Sequence, residues 1–317
     1  MPHTFRYVLY HVDNFLPHQQ VVNCPSVTTL TETQWRVREA EHRARFSPLV
    51  AQHRARRSRG EKHPVYDFLF EYYSFRPAHL ERWSAGFGVH LLGATSFDKN
   101  WHVGVDGTYL DIGAFPAHRI ASLCDTLSLL TATAARESQF GCFGLHEWAM
   151  VYRSEEVRHD VPLRLPPEQI AHIVEENGVR CSHFDAFRFF TPEARPLNVL
   201  QPTRESAIEL EQPGCIHASM DLYKWAYKFW PWISSELVGE SFLLAYAARE
   251  IDMCASPYDL REFGFDPILI ETGHGRREYV RAQNDLSELA RPIRAKLMAA
   301  YLNLSQALAV VPSKVTR

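Results

Sequence analysis

The chain has 317 residues, 46% hydrophobic and 22% charged, with a net charge of −3 and a pI near 6.6. That length suits one large domain or two modest ones, and the balance supports a sizeable core, which excludes wholesale disorder. No global basic field is present of the kind a nucleic-acid-binding protein usually carries. One short stretch, with Arg54, Arg56, Arg57 and Arg59, is either a contact surface for DNA phosphates or a solvated helix face. Oligomeric state is not readable.

Residues 1–30 are mixed and irregular, an N-terminal arm or an edge strand, and residues 31–317 are expected to form a mainly helical catalytic domain. The opening MPHTFRYVLYHVDNF lacks a basic start followed by a long apolar run, so no signal peptide is expected. From Thr33 to Arg59 the charge density predicts one or two exposed helices, broken near Pro48. Pro64 opens an aromatic helix, VYDFLFEYYSF. Residues 85–115 are rich in Gly, and the Asp-Gly turn in VGVDGTYLDIG predicts a small β-hairpin insert. Helices follow at 116–139, 144–153 and 166–177, the last stopping at Gly178. The segment VRCSHFDAFRFF reads as extended, and CIHASMDLYKWAYKFW as a helix ended by Pro231. Ser234 or Ser235 caps the next helix, and the tail from Arg276 to Leu308 is amphipathic with an interruption at Pro292. The fold class is therefore mainly α, a single helical domain with a small β insert.

The six cysteines, Cys24, Cys124, Cys142, Cys181, Cys215 and Cys254, are scattered without a CxxC pair. They read as small core hydrophobes in a reducing, cytoplasmic setting, not as a zinc ribbon or a disulfide scaffold. The longest apolar run, near residues 242–248, is far short of a membrane span.

Four segments embed ionisable groups among aromatics, which costs free energy unless the charges are paired and is common at functional sites. In the first, Asp67 and Glu71 fall on one helical face, Arg76 is in reach of either, and Tyr72 and Tyr73 form a candidate pocket wall. The second, GCFGLHEWAMVYR, places His146 beside Glu147 and Trp148, and Met at position 150 excludes the HExxH zinc motif. In the third, RCSHFDAFR, His183 and Asp185 share one face of an extended segment, with Arg188 beyond. In the fourth, His217, Asp221 and Lys224 form one helical stripe of base, acid and cation next to Trp225. Asp252 and Asp259 follow in two further polar stretches. In the first three segments a satisfied structural cluster explains the residues as well as chemistry does. Dinucleotide, P-loop and GxSxG signatures are missing, as is the usual Gly-rich helix-hairpin-helix signature.

The stretches RGEKHPVYDFLFEYYSFRPAHLERW (59–83), GCFGLHEWAMVYR (141–153), HFDAFRFF (183–190), QPGCIHASMDLYKWAYK (212–228) and REIDMCASPYDL (249–260) resemble a bacterial family commonly labelled 3-methyladenine DNA glycosylase. The resemblance spans about residues 33–295 and implies excision of an alkylated base from DNA, without assigned catalytic residues.

Two enzymatic readings follow, beside a non-catalytic binding protein for a small aromatic ligand. In the first, an N-glycosidic hydrolase acting in DNA repair, Asp221 is the carboxylate at the reacting centre, with Asp185 and Glu147 in reserve. His217 positions water or the leaving group, and Lys224 holds phosphate or acts as an amine nucleophile. Tyr73, Trp148 and Trp225 stack on the base, and Arg76 and Arg188 complete the substrate site. That reading needs no cofactor. The second is a metal-dependent helical oxygenase or hydrolase, with iron or zinc held by His146, His183 and His217 together with Asp and Glu ligands.

Overall fold

A computed structural model describes residues 27–310, apart from 96, 155, 156 and 158. The helices are α1 (Glu32–Ser58), α2 (Phe68–Glu71), α3 (Pro77–Leu80), α4 (Ile120–Ala134), α5 (Leu145–Ala149), α6 (Pro167–Asn177), α7 (Phe184–Phe187), α8 (Ala207–Leu210), α9 (Ile216–Met220), α10 (Leu222–Lys228), α11 (Ser235–Cys254) and α12 (Gly273–Val310). The strands are β1 (Thr28–Leu30), β2 (Val89–Leu92), β3 (Trp101–Val103) and β4 (Gly107–Leu110). The protein is mainly α with a small β insert, as its patterning predicts. No helix among the described residues is long and apolar enough to cross a membrane.

Helix α1 begins with a capping box. The Thr31 hydroxyl accepts from the Gln34 amide, and the Thr31 amide donates to the Gln34 side chain. Pro48 does not break it, contrary to the sequence expectation, and α12 likewise runs unbroken through Pro292. Packing decides both cases: Trp35, Phe46 and Val50 bury one face of α1, and Leu286, Ile293, Leu297 and Tyr301 one face of α12. Both prolines are exposed.

The sheet order is β1-β2-β4-β3, with β1 parallel to β2 and the remaining pairs antiparallel. The expected hairpin is β3–β4, but it turns at Val105-Asp106, one residue before the expected Asp-Gly pair, with the Gly104 amide donating to the Gly107 carbonyl; the segment 28–30 is an edge strand of the same sheet. A Cβ at Gly107 would lie 2.0 Å from the Leu91 carbonyl oxygen, so only Gly fits there. Trp35 Nε1 donates to the Leu92 carbonyl and ties the sheet to α1.

Helix α11 runs through the centre. Fifteen of its residues are buried, and α9, α10 and α12 pack around it, with α1 touching its first half. At that crossing Gly239 faces Phe46, and a Cβ there would lie 2.4 Å from the ring. The second half of α11 carries Arg249, Glu250 and Asp252 into the interior. The aromatic stretch after Pro64 forms only the short α2. Asp67 turns inward to His53 and Arg56 while Glu71 stays exposed, so the two carboxylates do not share a face. The segment after His183 is the helical turn α7, not a strand, and CIHASMDLYKWAYKFW is two helices that meet at Asp221.

Candidate functional site

The turn that leads into α5 is conformationally unusual. Phe143 has φ +50° and Gly144 φ +74°, both left-handed. A non-glycine residue there costs roughly 1–2 kcal/mol, and such strain concentrates at functional sites. The turn places Cys142 one helical turn before His146. The Cys142 sulfur lies 3.4 Å from His146 Nδ1, and His146 Nε2 lies 2.6 Å from Asp252 Oδ1. The second oxygen of Asp252 accepts from Arg249 Nη1 at 2.9 Å, and the same nitrogen donates to Glu147 at 2.9 Å. His146, Glu147, Arg249 and Asp252 are all buried. Burial disfavours a charged His146, but Asp252 and the Cys142 sulfur outweigh it and raise the imidazole pKa well above its usual value. Burial would likewise raise Asp252, and His146 and Arg249 instead hold it far below the usual carboxylate range.

A second cluster surrounds Asp221. Tyr73 donates its hydroxyl to Asp221 Oδ1 at 3.0 Å, and Lys224 Nζ lies 3.1 Å from Asp221 Oδ2 and 2.8 Å from Asp185. His183 Nε2 is 3.6 Å from Asp221, and its other nitrogen is 3.4 Å from Glu211. Arg188 pairs with Asp185 at 3.1 Å. Burial opposes charge on Asp221, but Lys224 and His183 overcome it and keep the carboxyl ionised. Both its oxygens are engaged.

His217 stands between the clusters. Its ring is 4.5 Å from that of His146 and stacks at 5.5 Å on that of His183. Burial and the positive charge of His146 push its pKa down to about 3, so it is neutral at pH 7. Two cavities meet at this ring. A chamber of about 320 Å³ includes Cys142, His146, His217, Arg180, Tyr279 and Gln283 in its wall. A void of about 40 Å³ includes Glu147, His183, Asp185, Asp221 and Arg249 in its wall. The larger is at the lower end of ligand-site sizes, and the smaller holds little more than water. Among the described residues the chamber wall contains no carboxylate, and Tyr279 OH and Gln283 Oε1 have no hydrogen-bond partner. Each such group costs about 1–3 kcal/mol.

The three histidines expected at the site thus converge, as do Glu147, Asp185, Asp221 and Lys224. The aromatic and arginine candidates divide. Tyr73 borders the small void, but its hydroxyl is committed to Asp221. Trp148 is fully buried and donates to the Ala255 carbonyl. Trp225 packs under the ammonium groups of Lys224 and Lys228. Arg76 is exposed at the start of α3. In the basic stretch, Arg54 pairs with Glu81, Arg56 with Asp67 and Arg59 with Glu61, while Arg57 is exposed in the last turn of α1. Cys142 and its bond to His146 were not singled out from sequence. The four-residue spacing in GCFGLHEW was the available signal, whereas Asp252 lies 106 residues away and only the fold brings it in.

Among the described residues, two sets of side chains have the spacing to hold a metal ion: His146, His217 and Asp252, and His183, Asp185 and Asp221, each with ligand atoms within 4.8 Å of one another. In the first, His146 bonds Asp252 directly. In the second, Lys224 bridges the two carboxylates. An ion entering either set must break one of those bonds. Comparison of the chain with protein-family models, curated proteins and solved structures gives no match.

Proposed function

We propose that the protein is a thiol-dependent hydrolase in which Cys142 is the nucleophile, His146 the acid–base group and Asp252 the residue that orients the imidazole. The observation that carries this reading is the unbroken contact from Cys142 sulfur through both nitrogens of His146 to Asp252, with Cys142 and His146 on the wall of a ligand-sized chamber. Nucleophile, base and orienting carboxylate in hydrogen-bonding order is the general pattern for covalent catalysis. The sulfur attacks an acyl carbon of the substrate. An S–C bond forms, and the leaving group departs with the proton carried by His146. Water then attacks the thioester and passes a proton back through His146. The acid product is released, and the thiol is restored. N-glycosidic cleavage, the reaction the family resemblance implies, is less well supported by this geometry. It needs a carboxylate at the substrate, and the carboxylates here border the small void.

The test is alkylation of the native protein by iodoacetamide, followed site by site with mass spectrometry. Cys142 is expected to react at least tenfold faster than Cys124, although Cys124 is the more exposed. His146→Asn should remove that advantage. Equal or slower reaction at Cys142 in the wild-type protein would refute the assignment. Near-stoichiometric iron or zinc in the purified protein, lost on His217→Ala, would replace it with a metal-dependent reading.

A further inference from the structure

A cleft of about 610 Å³ lies away from the thiol site, where the loop before β3 meets the end of α10. Its lining includes four basic residues, Lys99, Arg119, Lys228 and His79, and no acidic one among the described residues. Lys99 is exposed. Arg119 donates to the main-chain carbonyl of Lys228 and lies 4.7 Å over the Phe229 ring. The Lys228 ammonium lies 3.1 Å from the Thr126 hydroxyl. The two cations are thus positioned by neutral groups, which leave their charge largely uncompensated. Burial, Lys224 and Arg119 together bring the Lys228 pKa down to about 8, against a smaller opposing pull from the exposed Asp125. Burial also lowers Arg119. The rest of the wall combines the aromatic residues Phe75, Tyr227, Trp230 and Trp232 with Asn100, Ala114 and two prolines.

Uncompensated cations beside aromatic rings make a site for an anion with a flat apolar body. Arg is suited to phosphate oxygens, Lys supplies a point charge, and rings accept a base. We propose that this cleft binds an aromatic phosphate ester, a nucleotide-like ligand whose phosphate meets Arg119 and Lys228 and whose ring meets the Tyr227–Trp230 wall. The site does not depend on Cys142 or on the reaction assigned to it.

The test is isothermal titration of the full chain with adenosine 5′-monophosphate, adenosine and inorganic pyrophosphate at low salt. The monophosphate is expected to bind at least tenfold more tightly than adenosine, and affinity should fall as salt rises. Lys228→Met keeps the aliphatic stem and removes a charge repelled by its neighbours. It should leave the melting temperature unchanged and weaken the monophosphate at least tenfold. Equal affinity for adenosine and its monophosphate, or a Lys228→Met variant that binds normally, overturns the proposal. Pyrophosphate binding as tightly as the monophosphate overturns its aromatic half.

Discussion

Glu250 is 4% exposed, and among the described residues the one hydrogen bond its side chain accepts comes from Tyr66, whose hydroxyl lies 2.6 Å from Oε1. Burial raises its pKa from 4.5 to about 7, against the smaller lowering effect of that bond. The native state therefore holds this proton over a pH range in which the unfolded chain has lost it. Stability from this group is complete below about pH 4.5 and declines as pH rises towards 7. A shift of 2.5 (7 − 4.5) corresponds to an upper limit of about 3 kcal/mol. Glu250→Gln keeps an acceptor for Tyr66 without the charge. Its melting temperature should match wild type at pH 4.5 and exceed it by several degrees at pH 8. A constant difference across that range would refute the account. Neighbouring Asp252 behaves oppositely because two cations face it. The sequence reading singles out Asp252 but not Glu250, and spacing alone does not tell which of the two has partners. That depends on the approach of His146 and Tyr66 from other parts of the chain.

Among the elements, α11 is the most constrained. It crosses α1 where Gly239 meets Phe46, and the ring cannot retreat because Phe242 and His42 pack on it. Gly239→Ala should therefore destabilise the protein by about 1–3 kcal/mol, despite the better helix propensity of Ala. Chemical denaturation would show it as a lower midpoint with an unchanged slope, and a neutral or stabilising effect would mean the helices can separate freely. The existence of most helices was legible in the apolar spacing, and α6 was legible to within one residue, because Pro166, Pro167 and Gly178 punctuate it and Pro166 proves to be its N-cap. The short elements were not. A run such as HPVYDFLFEYY satisfies helical spacing, yet Asp67 bonds the His63 amide and holds the chain in turns before α2 begins. The stripe of His217, Asp221 and Lys224 was half legible. Lys224 does reach Asp221, but His217 turns toward Asp252 and the chamber.

In the whole molecule, α12 packs against α4, α9, α10 and α11, and the buried apolar residues form one continuous cluster that reaches from Leu30 in β1 to Leu304. A single core predicts one cooperative unfolding transition. Scanning calorimetry should give one peak whose calorimetric and van't Hoff enthalpies agree, and two separable peaks would divide the chain into independent units. The mainly helical class was legible from composition and periodicity. The position of the chamber was not, since its wall gathers residues from 139 to 283.

The prolines inside the two long helices carry a further consequence. Pro48 and Pro292 have no amide hydrogen to offer the carbonyls of Ala44 and Glu288, four residues earlier. All four residues are exposed, so each unused carbonyl lies on the wet side of its helix, where solvent can bond it. The same residue on the inner face would strand an acceptor in the core and end the helix. Each long helix therefore has a fixed point of hydration on its outer surface, and there it should bend, convex toward water.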